Sequence, residues 1–83
     1  MEVRIGKITH YFNRIGVAVL ELNDEIKVGD RITIVGHTTE FSQPVESLEI
    51  EHQKVQSAGA GDDVALKVWE YVRDGDEVFK ISE

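Results

Sequence analysis

Three histidines, four serines and three Gly-Asp pairs are the groups whose types and spacing invite a chemical reading. A zinc centre needs three or four ligands converging in a tetrahedron. His10, His37 and His52 show no i,i+2 or i,i+4 pairing and the chain has no cysteine, so they read as unrelated surface side chains. Ser42, Ser47, Ser57 and Ser82 lack the strand-turn-helix context that exposes a nucleophile. Glu49 and Glu51 alternate on one strand face, which reads as a solvated face and not as an acid–base couple. The Gly-Asp pairs recur in "VGDRITI", "AGDDVAL" and "DGDEVFKI". Converging aspartates would hold a metal, but a calcium loop needs several oxygen ligands within about a dozen residues, and none of these segments supplies them. Glycine instead provides a positive φ, and aspartate bonds nearby backbone N–H groups. Gly29, Asp30, Gly61, Asp62, Gly75 and Asp76 are therefore read as turns that start strands. No catalytic residue, metal or cofactor is expected, and the chain reads as a non-enzyme.

The elements around these turns are short runs rich in Val and Ile, with no helix-length apolar period. Strands are expected over residues 3–10, 15–22, 31–36, 43–52, 63–69 and 77–81. In the first, apolar parity changes across Gly6, which predicts a bulge. The second is apolar on both faces through "GVAVLEL", as a strand crossing a closed barrel would be. About six short strands at close spacing predict an all-β fold, a small closed barrel that leaves no exposed edge. With 83 residues and no disulfide, one domain over 1–83 is expected, held by its packing.

The net charge is −7, which argues against nonspecific duplex binding by the whole surface. Yet the first 20 residues carry Lys7, Arg4, Arg14 and His10 against a single acid, Glu2. Tyr11 and Phe12 are expected near the tip of a first hairpin, flanked by Lys7, His10 and Arg14. That combination suits stacking on unpaired bases with cations on the phosphates. Alternatively, both rings fold back and plug one barrel mouth. Trp69 lies on the strand face opposite Val64, Leu66 and Val68, beside Tyr71, as a second candidate contact.

The order of motifs resembles a known family. A Gly-Lys-Ile opening strand, "IKVGDRITIVG", "VESLEIEHQKVQSAGAGDDVALKV" and "VRDGDEVFKI" are similar to the second domain of translational GTPases, the β-barrel of elongation factor Tu. The resemblance runs from about Ile5 to Ile81, and it implies that barrel fold. Neither a G-x-x-x-x-G-K-[ST] loop nor Asn-Lys-x-Asp is present, so no nucleotide is expected. The chain thus looks like a small stand-alone elongation-factor-like protein. The resemblance implies a non-catalytic binding module associated with translation, and the basic, aromatic first hairpin is the surface through which it would meet RNA or the ribosome. The alternative is a protein-interaction domain using its acidic C-terminal half or the Trp69 surface. A weaker resemblance is to the accessory barrel of collagenase-like peptidases, also non-catalytic. No apolar run approaches the roughly 20 residues of a membrane helix, and the start has no signal pattern, so a cytoplasmic protein without a membrane partner is expected.

Overall fold

The computed structural model describes residues 1–82 and contains strands and turns but no helix among them. Ten strands follow in chain order: β1 (Glu2–Phe12), β2 (Val17–Leu22), β3 (Ile26–Lys27), β4 (Arg31–Val35), β5 (Glu40–Pro44), β6 (Leu48–Ile50), β7 (Gln53–Val55), β8 (Ser57–Ala58), β9 (Asp63–Lys67) and β10 (Glu77–Ile81). Eight form one antiparallel sheet in the order β5-β4-β10-β1-β2-β9-β6-β7, and β3 pairs with β8. The all-β expectation holds. The closed barrel does not: the sheet is open, with β5 and β7 at its edges. The expected strand over 43–52 divides, because β5 ends at Pro44 and a separate hairpin of β6 and β7 follows.

β1 is the spine. Its first half pairs with β10 and its second with β2, with register shifts between Arg4 and Gly6 and between Ile8 and His10. Each shift inserts a residue and tightens the local twist, so an 11-residue strand can curl around a core. It also turns both Ile5 and Ile8 inward, where each is fully buried. Gly6 lies where β1 presses on β2, and a Cβ there would collide with the Glu21 carbonyl. Ala18 and Leu20 of β2, Val64 and Leu66 of β9, and Ile32 and Ile34 of β4 complete the apolar interior.

The three Gly-Asp pairs form one corner built three times. Gly29, Gly61 and Gly75 have φ of 99°, 91° and 94°, the position-three conformation of a type II turn. In each turn the Asp N–H donates to the carbonyl three residues back: Lys27, Gly59 and Arg73, at 3.1, 3.1 and 3.0 Å. The N–H of that same residue donates to the Asp carboxylate, at 3.0, 3.0 and 2.9 Å. The corner then grips a neighbouring buried residue through backbone alone. Glycine donates to the carbonyl of Val45, Leu22 or Ile8, and the N–H of that residue donates to the Asp carbonyl, all between 2.7 and 2.9 Å. The aspartates do not converge, and among the described residues no three His, Asp or Glu side chains are grouped to hold a metal ion.

No backbone ladder joins edge strand β5 to β9; one side chain bridges them instead. Gln43, on edge strand β5, is wholly buried. Its Nε2 donates to the Lys67 carbonyl at 2.8 Å, and its Oε1 accepts the Trp69 N–H at 2.7 Å. The amide thus copies the donor–acceptor pattern of a missing strand. Gln43→Ala and Gln43→Leu both remove it and leave two backbone groups without partners, each worth about 1–3 kcal/mol where water is excluded. We expect both variants to lose about 2–4 kcal/mol in urea denaturation, with leucine's added apolar volume giving no rescue.

The β6–β7 hairpin turns through Glu51 and His52, with φ of 50° and 67°. A two-residue turn with both φ positive is the type I′ form, for which Asn-Gly is the favoured sequence. Left-handed backbone costs a side-chain-bearing residue roughly 1–2 kcal/mol. Replacing Glu51-His52 by Asn-Gly is expected to raise the midpoint of thermal unfolding, by about 1–2 kcal/mol of stability. An unchanged or lowered midpoint would show that the turn carries no strain.

Candidate functional site

The first hairpin places its side chains on two opposite faces, because cross-strand neighbours share a face and successive residues alternate. Tyr11 pairs with the buried Ala18, and its ring is half-buried against the core. Phe12 pairs with Val17 and points outward, 47% exposed. The joint tip expected from sequence is therefore split: Tyr11 turns in and Phe12 turns out. Asn13, Arg14 and Ile15 make the exposed turn, closed by the Ile15 N–H on the Phe12 carbonyl.

The basic character of this end is also dispersed. Lys7 stands opposite Glu21 on β2 and opposite Glu77 on β10. Arg4 donates from Nε to Glu77 at 2.8 Å. His10 has Nδ1 2.9 Å from the Thr9 carbonyl oxygen, so that nitrogen carries the proton, and its ring lies 5.5 Å from Phe12. Only Arg14, out in the turn, stands apart from these contacts. The acids that balance the basic residues come from β2 and β10, which is why a count along the first 20 residues overstated the local field.

Trp69 and Tyr71 are both exposed, at 57% and 59%. Their side chains have different partners. Trp69 directs Nε1 to the Glu46 carboxylate at 2.9 Å. Tyr71 instead meets Tyr11 edge to face, with ring centroids 4.8 Å apart and planes at 71°. The Arg73 guanidinium carbon stands 5.6 Å from the Tyr71 ring centroid, and its Nε donates to Thr38 Oγ1 at 3.1 Å. The contact between residues 11 and 71 spans most of the chain. No local pattern announces it, and Arg73 carried no signal beyond its place before a Gly-Asp corner.

A concavity lies on the outer face of the sheet, an open groove of about 920 Å³. Val17, Val19 and Ala65 form its half-buried floor, with Phe12 and Ile15 at one end and the strained Glu51-His52 turn at the rim. The two-sided apolarity of "GVAVLEL" thus has another cause than a strand crossing a barrel. Ala18, Leu20 and Leu22 face the core, and Val17 and Val19 face this groove. His10, His37 and His52 are all exposed.

No family model matches the chain. It is 35% identical over 83 residues to an uncharacterized protease of Methanocaldococcus jannaschii, an alignment covering 99% of this chain and 20% of the protease. It is 36% identical over 84 residues to a collagenase of Porphyromonas gingivalis, again covering 99% of this chain and 20% of the relative. The chain therefore spans about a fifth of the length of these curated relatives. Among solved structures, the C-terminal domain of a candidate U32 peptidase from Geobacillus thermoleovorans superposes with a TM-score of 0.89. That match is 20% identical and covers 94% of this chain and 91% of the domain. At that identity it shows the fold alone.

These matches overturn the resemblance to translational GTPases and the translation reading drawn from it, and they lend its protein-interaction alternative no support. The motifs behind the resemblance, Val28-Gly29-Asp30 and the segment ending Gly61-Asp62-Asp63-Val64, are type II corners feeding strands. Positive φ favours Gly there and the local N–H favours an Asp carboxylate in any fold that turns this way, so the motifs mark a corner and not a family. Among the described residues, no helix is long and apolar enough to cross a membrane.

The split of the first hairpin has a measurable consequence. Tyr11→Ala removes a half-buried ring and its contact with Tyr71, and is expected to cost about 2–3 kcal/mol of stability. Phe12→Ala, on the exposed face, is expected to cost less than about 1 kcal/mol. Equal costs in denaturant titration would contradict the opposite orientations.

Proposed function

We propose that residues 1–83 act as a single non-catalytic accessory domain of a U32-type peptidase, helping it to engage a polypeptide substrate of the collagen type. One observation carries the reading. The chain aligns from end to end with a fifth of proteins named protease and collagenase, and its fold is that of a domain solved in isolation from a candidate U32 peptidase. A segment of this size, filled by its own core, supplies a shaped surface more readily than a reaction chamber. The larger part of such an enzyme carries the bond cleavage, and this domain contributes contacts to the chain being cleaved. Binding energy gathered away from the scissile bond helps to position it for reaction.

A chimera tests this division of labour. In the Porphyromonas gingivalis collagenase, the matching segment is either deleted or replaced by this chain. The replacement is expected to degrade gelatin at a rate within about tenfold of the parent, and the deletion to lose more than that. The isolated 83-residue chain is expected to cleave neither gelatin nor a quenched peptide. Turnover by the isolated chain, abolished by a point substitution in it, would overturn the non-catalytic assignment.

A further inference from the structure

The connection from β9 to β10 arches over the second half of β1 and leaves an open cleft of about 540 Å³ between them. Tyr11, Tyr71, His10, Thr9, Arg73 and Asp74 line it. We propose that this cleft binds a proline-rich segment in the polyproline II conformation. The proposal rests on the accessory-domain reading for its biological setting, and on the cleft alone for its chemistry.

A polyproline II chain has three residues per turn, advances about 9 Å per turn and makes no internal hydrogen bond, so every carbonyl remains an acceptor. Its receptor needs flat apolar walls for the pyrrolidine rings and a few donors for those carbonyls. Tyr11 and Tyr71 supply the apolar surface, as one edge-to-face pair with planes at 71° and centroids 4.8 Å apart, whose remaining faces line the cleft. They also supply donors, because no hydrogen bond among the described residues takes up either phenolic hydroxyl. Arg73 holds Nε on Thr38, which fixes its guanidinium beside the Tyr71 ring and leaves its terminal nitrogens for a further carbonyl.

Charge agrees with an uncharged ligand. The chain carries −7 overall, yet the cleft sets Arg73 against Asp74 and is balanced apart from His10. Such a surface neither concentrates polyphosphate nor repels a neutral backbone. Tyr11 is held in place before the ligand arrives, because it is packed against the core, and Tyr71 rests on it. Little conformational freedom is lost on binding a stiff ligand to a stiff wall.

Amide NMR of the full chain, titrated with a proline decamer, tests the assignment. Shifts are expected first at residues 9–11 and 71–74, with none from a Gly-Ser peptide of equal length. Tyr71 is exposed, so Tyr71→Ala should remain folded by thermal melting, and its affinity for the decamer should fall about tenfold or more. Tyr71→Phe keeps the wall and loses the donor, and should fall less. A triple-helical Pro-Pro-Gly peptide distinguishes a single strand from an assembled collagen helix as the ligand form. Shifts confined to the groove around Val17 and Val19, no shifts with any proline peptide, or the same shifts from single-stranded oligouridine alone would each overturn the proposal. The gelatin assay on the chimera reads the accessory-domain role separately. A chimera that works with a Tyr71→Ala insert would leave that role standing and remove the cleft from it.

Discussion

The Gly-Asp corner is the interaction on which the rest of this small sheet depends. Four hydrogen bonds recur at each of three positions, and two of the four reach out of the turn to a buried residue on another segment. Val45, Leu22 and Ile8 are gripped in this way, all of them core side chains. A corner of this type does two jobs that a longer protein would divide. It reverses the chain tightly, and it satisfies buried backbone groups that a curled sheet would otherwise leave unpaired. In a chain of 83 residues with no disulfide, such local order replaces core volume that is not available.

The corners start strands β4, β9 and β10, but they do not close the sheet. The open sheet is bridged by Gln43, whose amide spans from β5 to the end of β9. A single side chain can do this because an amide presents one donor and one acceptor side by side, as a peptide group does. The consequence reaches the proposed cleft. Trp69, whose N–H is held by Gln43, is the second residue of the connection that carries Tyr71 and Arg73 over β1. Anchoring that connection near its start sets where Tyr71 meets Tyr11. The curl of the sheet and the geometry of the aromatic pair are therefore coupled through one buried amide.

What each side chain can do is set by what surrounds it in the sheet. Lys7, taken along the chain, belongs to a basic stretch; across the sheet it stands between Glu21 and Glu77. Tyr11 and Phe12 are adjacent in sequence and face opposite sides of a sheet. Likeness to proteases and a collagenase over nearly the whole chain replaced a resemblance built on corners, because corners recur wherever the same turn is needed.

The sequence by itself determined the all-β class, the approximate places of most strands, the bulge near Gly6 and the turn character of the Gly-Asp pairs. Each of these follows from local chemistry: side-chain alternation, β-branched runs and glycine at positive φ. It did not determine that the sheet stays open, because closure depends on whether two distant edge strands pair through their backbones. It hid the hairpin at Glu51-His52, since neither residue is a usual occupant of a type I′ turn. Nor did it place Tyr11 on Tyr71, or the carboxylates beside Lys7. Only tertiary structure decided these, because pairing register and sheet curl bring together residues whose separation along the chain carries no record of their meeting.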